Sequence, residues 1–181
     1  MVYQKKVLGF LTAPAKAFRA ERKTSVQEAF KYVLVLSLVL AVLSGAYAAF
    51  IGGPVAGAVG GIAAYLGSVI GLVISGLWVH LWVYFLGGKK GLHETMKTIF
   101  FAETPGFLLG WIPYVNIVAI VWMIVLDVIG LKVLQNMPTG RAAAAIIIAI
   151  AIPLLLMTAL ILAVASFAGI SPWTFVAPGQ F

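Results

Sequence analysis

The sequence predicts an all-α integral membrane protein: a five-span transmembrane helix bundle with an amphipathic N-terminal surface helix. Three observations lead there. Of the 181 residues, 63% are hydrophobic and 9% charged, with a mean hydropathy of +1.11, whereas about a quarter of a soluble domain is charged. The apolar residues form uncharged blocks long enough to cross about 30 Å of hydrocarbon at about 1.5 Å per residue. All twelve Lys and Arg lie in the N-terminal arm through Lys31 and in the connectors 87–97 and 132–141. Five spans put these three segments on one side, which the positive-inside rule makes cytoplasmic.

Residues 1–24 form the surface segment, with Lys5, Lys6, Lys16, Arg19, Arg22 and Lys23 set between apolar side chains. Tyr3, Val7, Phe10 and Leu11 share one helical face, and Pro14 starts a second short helix that Phe18 anchors. Such a basic amphipathic element lies on a membrane, its cations on anionic headgroups. An ordinary solvated arm is the alternative. Ser25 and Glu28 fit a capping box that opens span one. The apolar run from Tyr32, ending in Ala46-Tyr47-Ala48, resembles a cleaved secretory signal, but the basic region before it is too long for one.

Residues 25–168 make a single transmembrane domain with spans about 26–51, 58–86, 98–112, 115–132 and 142–167, and 169–181 an extracytoplasmic tail. Gly52-Gly53-Pro54 ends the first span. In the second, Ala63, Gly67, Gly71 and Ser75 repeat every four residues as a smooth ridge, read as packing inside the bundle in preference to a dimer interface. Pro105 breaks the third span because it cannot donate to the Phe101 carbonyl, Pro113 forces a turn, and Pro153 bends the fifth span.

Three ionisable residues fall within spans: His80, Glu103 and Asp127. Counted from the cytoplasmic ends they share a layer about 7.5 to 10.5 Å deep. A carboxylate in lipid costs at least about 2.5 kcal/mol, so these groups should face the bundle interior. The favoured reading is polar glue, through bonds to one another, Asn116, Tyr84 or Lys31. The sharper one is a cation or proton site, with the break at Pro105 supplying free carbonyl oxygens.

Enzymatic readings lack their residues. There is no cysteine, hence no disulfide, thiolate metal site or thiol catalysis. No HExxH, phosphate-binding loop or dinucleotide fingerprint occurs, the serines have no recognisable base, and Gly67-Ser68 with His80 is too thin for an intramembrane hydrolase. No cofactor is implied. The net charge of +7 is spread over short clusters beside apolar blocks, which points to lipid headgroups and not to nucleic acid.

The stretch Pro105-Gly106-Phe107-Leu108-Leu109-Gly110-Trp111-Ile112-Pro113, followed by Asn116, Trp122, Gly130-Leu131-Lys132 and the alanine run from Ala142, resembles the Yip (Ypt/Rab-interacting protein) domain family. Pro14-Ala15-Lys16-Ala17-Phe18 is similar to the lead-in of its prokaryotic members. The resemblance covers roughly residues 10–168. It implies five spans, a cytoplasmic N-terminus and a non-enzymatic role. Eukaryotic members are linked to Rab GTPases and membrane shaping through a long cytosolic N-terminal region that this sequence lacks. Glu103-Thr104 stands where the family has tyrosine or small polar residues.

The expected function is therefore a scaffold or adaptor of the cytoplasmic (plasma) membrane, shaping membrane or recruiting a protein partner or a second copy. The alternative is a small transporter or channel using the polar layer.

Overall fold

The computed structural model describes residues 2–167, and every regular element among them is helical: α1 Val2–Thr12, α2 Pro14–Ala20, a 3₁₀ turn Glu21–Lys23, α3 Val26–Phe85, α4 Leu92–Ala102, α5 Thr104–Leu109, α6 Val115–Leu134 and α7 Thr139–Phe167. The expected tail, 169–181, lies outside the described residues. Three of these helices, α3, α6 and α7, are long and apolar enough to cross a membrane. The chain divides into two compact units, Met1–Ile146 and Ile147–Phe181. Of the second, residues 147–167 are described. They continue α7 through Pro153 and are mostly exposed apolar side chains.

In the first unit α3 is a hairpin. Drawn straight, its 60 residues would run about 90 Å, three bilayer thicknesses. The chain turns instead at Gly53, whose φ of 82° and ψ of −179° belong to glycine. Pro54 then occupies the first position of the second arm, where its missing N–H costs nothing. Arms 26–52 and 54–85 come back to back through small residues. A Cβ at Gly57 would sit 2.6 Å from the Ala49 Cβ, and one at Gly61 3.0 Å from the Ala41 carbonyl oxygen. Gly57, Gly60 and Gly61 thus belong to the second arm, with no glycine-rich lead-in before it.

The ridge Ala63, Gly67, Gly71, Ser75 does not make the close approach expected of it. A Cβ at Gly67 or Gly71 would meet nothing within 4 Å among the described residues, and Ala63 and Ser75 are exposed. Gly76 is the small residue used there, against Met96 of α4. Gly53→Ala is accordingly expected to cost about 1–3 kcal/mol through backbone strain, read as a lower unfolding temperature in detergent. Gly67→Ala, in open helix, is expected to be neutral or stabilising by up to about 1 kcal/mol. Equal effects of the two would contradict the turn.

Helix α4 starts at Leu92, earlier than the expected third span, because Gly91 with φ of 86° turns the chain directly into it. Thr95 to Ala102 are buried without a gap, as are Thr104 to Phe107. This segment packs against α3 and α6 and is the centre of the unit.

The N-terminal helices also join this core. Phe10 and Phe18 are fully buried. Phe10 stacks on Phe101 with centroids 5.0 Å apart and meets Phe18 edge-on at 4.9 Å. Gly130 of α6 receives the Phe18 ring: a Cβ there would lie 2.8 Å from it. Tyr3 stacks on Tyr32 at 5.9 Å. The apolar face expected on the bilayer is thus turned against the bundle, because Gly130 and the Phe101 ring offer it a shaped seat.

Candidate functional site

Around the end of the bundle where α2, α4 and α6 meet, a collar of polar residues fastens the N-terminal arm. Glu21, buried in the 3₁₀ turn, accepts from Lys6 Nζ at 2.9 Å and from the Thr24 hydroxyl at 2.6 Å. Lys6 also lies 5.6 Å from the Phe101 ring centroid, a cation over a π face. Lys97 is 2% exposed, pairs with Glu94 at 2.9 Å, and donates to the Arg22 and Thr24 carbonyls at 3.1 Å each. A buried ammonium is tolerable only with such a full set of acceptors. Arg22 Nη2 donates to the Val133 carbonyl at 3.3 Å. Of the six arm cations, Lys5, Lys16, Arg19 and Lys23 are exposed and have no acidic partner among the described residues.

A second network closes the connector after α3. Gln135, at the end of α6, accepts from Lys90 N–H at 3.0 Å and donates to the Gly91 carbonyl at 2.6 Å and the Thr95 hydroxyl at 2.9 Å. Those partners fix which end of the amide is oxygen. Thr95 lies 2.9 Å from His80 Nδ1, so His80 is tied to α4.

The three-residue layer is therefore divided. Glu103 and Asp127 come together without His80. The Glu103 carboxyl lies over Gly106, where a Cβ would be 2.6 Å from Oε1 and 2.8 Å from Met123 Sδ. Asp127 follows Met123 by one turn of α6, on the side of that helix next to Glu103. Asp127 Oδ1 is buried without a hydrogen-bond partner among the described residues. No bond joins either carboxyl to Lys31, Tyr84 or Asn116 there.

The helix does break before Pro105, but the Phe101 carbonyl is not left free. The Thr104 hydroxyl donates to the Phe101 carbonyl at 2.6 Å, beside a backbone N–H from the cap of α4, and together they stand in for the N–H that Pro105 lacks. Its one proton being spent, it accepts from the Tyr32 hydroxyl at 2.9 Å. Thus Tyr32 of α3 is pinned to the α4–α5 junction. Thr104, Tyr32, Lys97 and Gln135 escaped the sequence reading. Only Thr104 carried a signal, as a hydroxyl immediately before a helix-interior proline.

The Yip1 domain family model matches residues 8–177. The chain belongs to the Yip1 domain family. No curated protein and no solved structure matches it. The match opens inside α1, so the arm that carries Phe10 and Phe18 is part of the Yip1 domain itself, in keeping with its burial in the first unit. Membership makes this a transmembrane protein of that family.

Proposed function

We propose that this Yip1-family protein is a non-enzymatic scaffold or adaptor of the cytoplasmic membrane, working at the cytoplasmic face through its N-terminal arm. The observation that carries the reading is how the arm is mounted. Phe10 and Phe18 fasten it to the bundle, and Lys5, Lys16, Arg19 and Lys23 are left exposed. Cations carried on a fastened backbone hold anionic headgroups without the cost of ordering the helix, at roughly 1 kcal/mol per basic residue near the surface. It either imposes the bundle's shape on the leaflet or offers a partner a charged face.

Five spans accompany this reading: the two arms of α3, the α4–α5 segment, α6 and α7. Residues 92–109 span about 27 Å at about 1.5 Å per residue, close to the about 30 Å of hydrocarbon. Topology is testable because the chain has no cysteine. A thiol at Lys89→Cys should react with an impermeant maleimide only from the cytoplasmic side, and one at Tyr114→Cys only from the opposite side. Labelling of both from one side would rule out the five-span order.

The functional test uses vesicles containing phosphatidylglycerol. The wild type is expected to alter vesicle diameter or shape, seen by electron cryomicroscopy, less so as salt rises. The quadruple variant Lys5→Gln, Lys16→Gln, Arg19→Gln, Lys23→Gln should lose the effect. Undiminished remodelling by the variant would overturn the role given to the arm.

A further inference from the structure

A groove of about 400 Å³ opens between α1 and α2, floored by Gly9, Phe10, Ala13, Ala17 and Ala20. Small side chains create it: the helices touch where a Gly9 Cβ would lie 3.4 Å from the Ala17 Cβ, and the alanines on either side leave space. Its rim is Lys5, Lys6, Lys16 and Glu21. Lys6 and Glu21 neutralise each other at 2.9 Å. Lys5 and Lys16 are left as rim cations with no carboxylate partner among the described residues.

We propose that this groove is a binding site for one anionic glycerophospholipid, its phosphate held between Lys5 and Lys16 and its glycerol and upper acyl chain lying on the Gly9–Ala20 floor. The site rests on the reading of the arm as a headgroup-facing element and gives that element a defined stoichiometry. Charge complementarity selects the occupant. Two unpaired ammonium groups match one phosphate, and an apolar floor beside them matches what is attached to it. A soluble anion would gain nothing from the floor. A zwitterionic lipid would bring its own cation against the lysines. Lipid is also the one amphiphile continuously present at high concentration beside a membrane-embedded chain. Arg19 and Lys23 are also exposed but do not line the groove, so they attract headgroups only diffusely.

The test uses the full chain, delipidated in detergent, with bound lipid counted by native mass spectrometry during titration with phosphatidylglycerol or phosphatidylcholine. One phosphatidylglycerol per chain should bind ahead of all others, with phosphatidylcholine at least tenfold weaker. Lys5→Gln/Lys16→Gln should weaken that first lipid tenfold or more, and Arg19→Gln/Lys23→Gln, with the same change in charge, less than threefold. Ala20→Phe, which fills the groove with the charge intact, should also lose the first lipid, while an unchanged melting temperature shows that the variants fold. Equal losses from the two lysine and arginine pairs, or full binding by Ala20→Phe, would overturn the groove and leave the diffuse role of the arm standing. Equal binding of the two lipids by the wild type would overturn both. Displacement of the first lipid by inorganic phosphate would overturn the contribution of the floor.

Discussion

Phe18→Ala is expected to destabilise the protein by about 3–5 kcal/mol, the usual range for deleting a buried phenyl ring. The ring is fully buried, meets Phe10 edge-on at 4.9 Å, and fills the notch left by Gly130. Its loss opens a cavity among α1, α2 and α6 that the surrounding helices close only in part. The arm should then detach before the bundle melts, since α1 and α2 are too short to persist alone. Limited trypsin digestion reads this directly: cleavage at Lys16, Arg19 and Lys23 should accelerate well before the midpoint of thermal unfolding in detergent. Tyr3→Ala removes a ring that is 41% exposed and should change the rate little. If the two variants were cleaved at the same rate, Phe18 would not be the anchor.

Thr104→Val conserves volume and should still cost about 1–3 kcal/mol. The buried Tyr32 hydroxyl is orphaned, at about 1–3 kcal/mol, while the Phe101 carbonyl loses the Thr104 hydroxyl but keeps a backbone N–H from the cap of α4. Thr104→Ser keeps the hydroxyl and should recover most of the loss. A double-mutant cycle with Tyr32→Phe separates the two bonds, because removing both ends of the Tyr32–Thr104 bond leaves no orphaned hydroxyl and only the lost Thr104–Phe101 bond to account for. Strictly additive losses would mean that the network does not act as a unit. Both threonine variants leave the arm cations untouched, so lipid binding by the folded protein should stay at the wild-type level.

Much of the helical skeleton was readable because its signals are local. Gly52-Gly53-Pro54 marked the turn of α3. Ser25 marked its start, where the hydroxyl accepts from Glu28 N–H at 3.2 Å. Pro105 marked the junction at Glu103. The α4 start was misplaced because His93, Glu94 and Lys97 read as a polar connector, although Lys97 and Glu94 pair along one helical face and Lys97 turns inward to the arm.

The candidate site was legible by depth and not by direction. A rise of about 1.5 Å per residue placed His80, Glu103 and Asp127 in one layer, but rotation about each helix decides contact. That rotation gave His80 to Thr95 and set the Glu103 carboxyl over Gly106, beside Met123 one turn before Asp127. The small residues pose the same ambiguity. The stripes 57–61 and 63–75 look alike in sequence, and the hairpin turn selected the first.

By itself, then, the sequence determined that the chain is helical, that lipid solvates most of it, and which segments carry the positive charge, since these follow from composition and local patterning. Only the tertiary structure decided that Phe10 and Phe18 face the bundle. Lipid and protein interior are equally apolar, so hydropathy cannot tell an anchor in the membrane from a ring in the core; the seat made by Gly130 and Phe101 can.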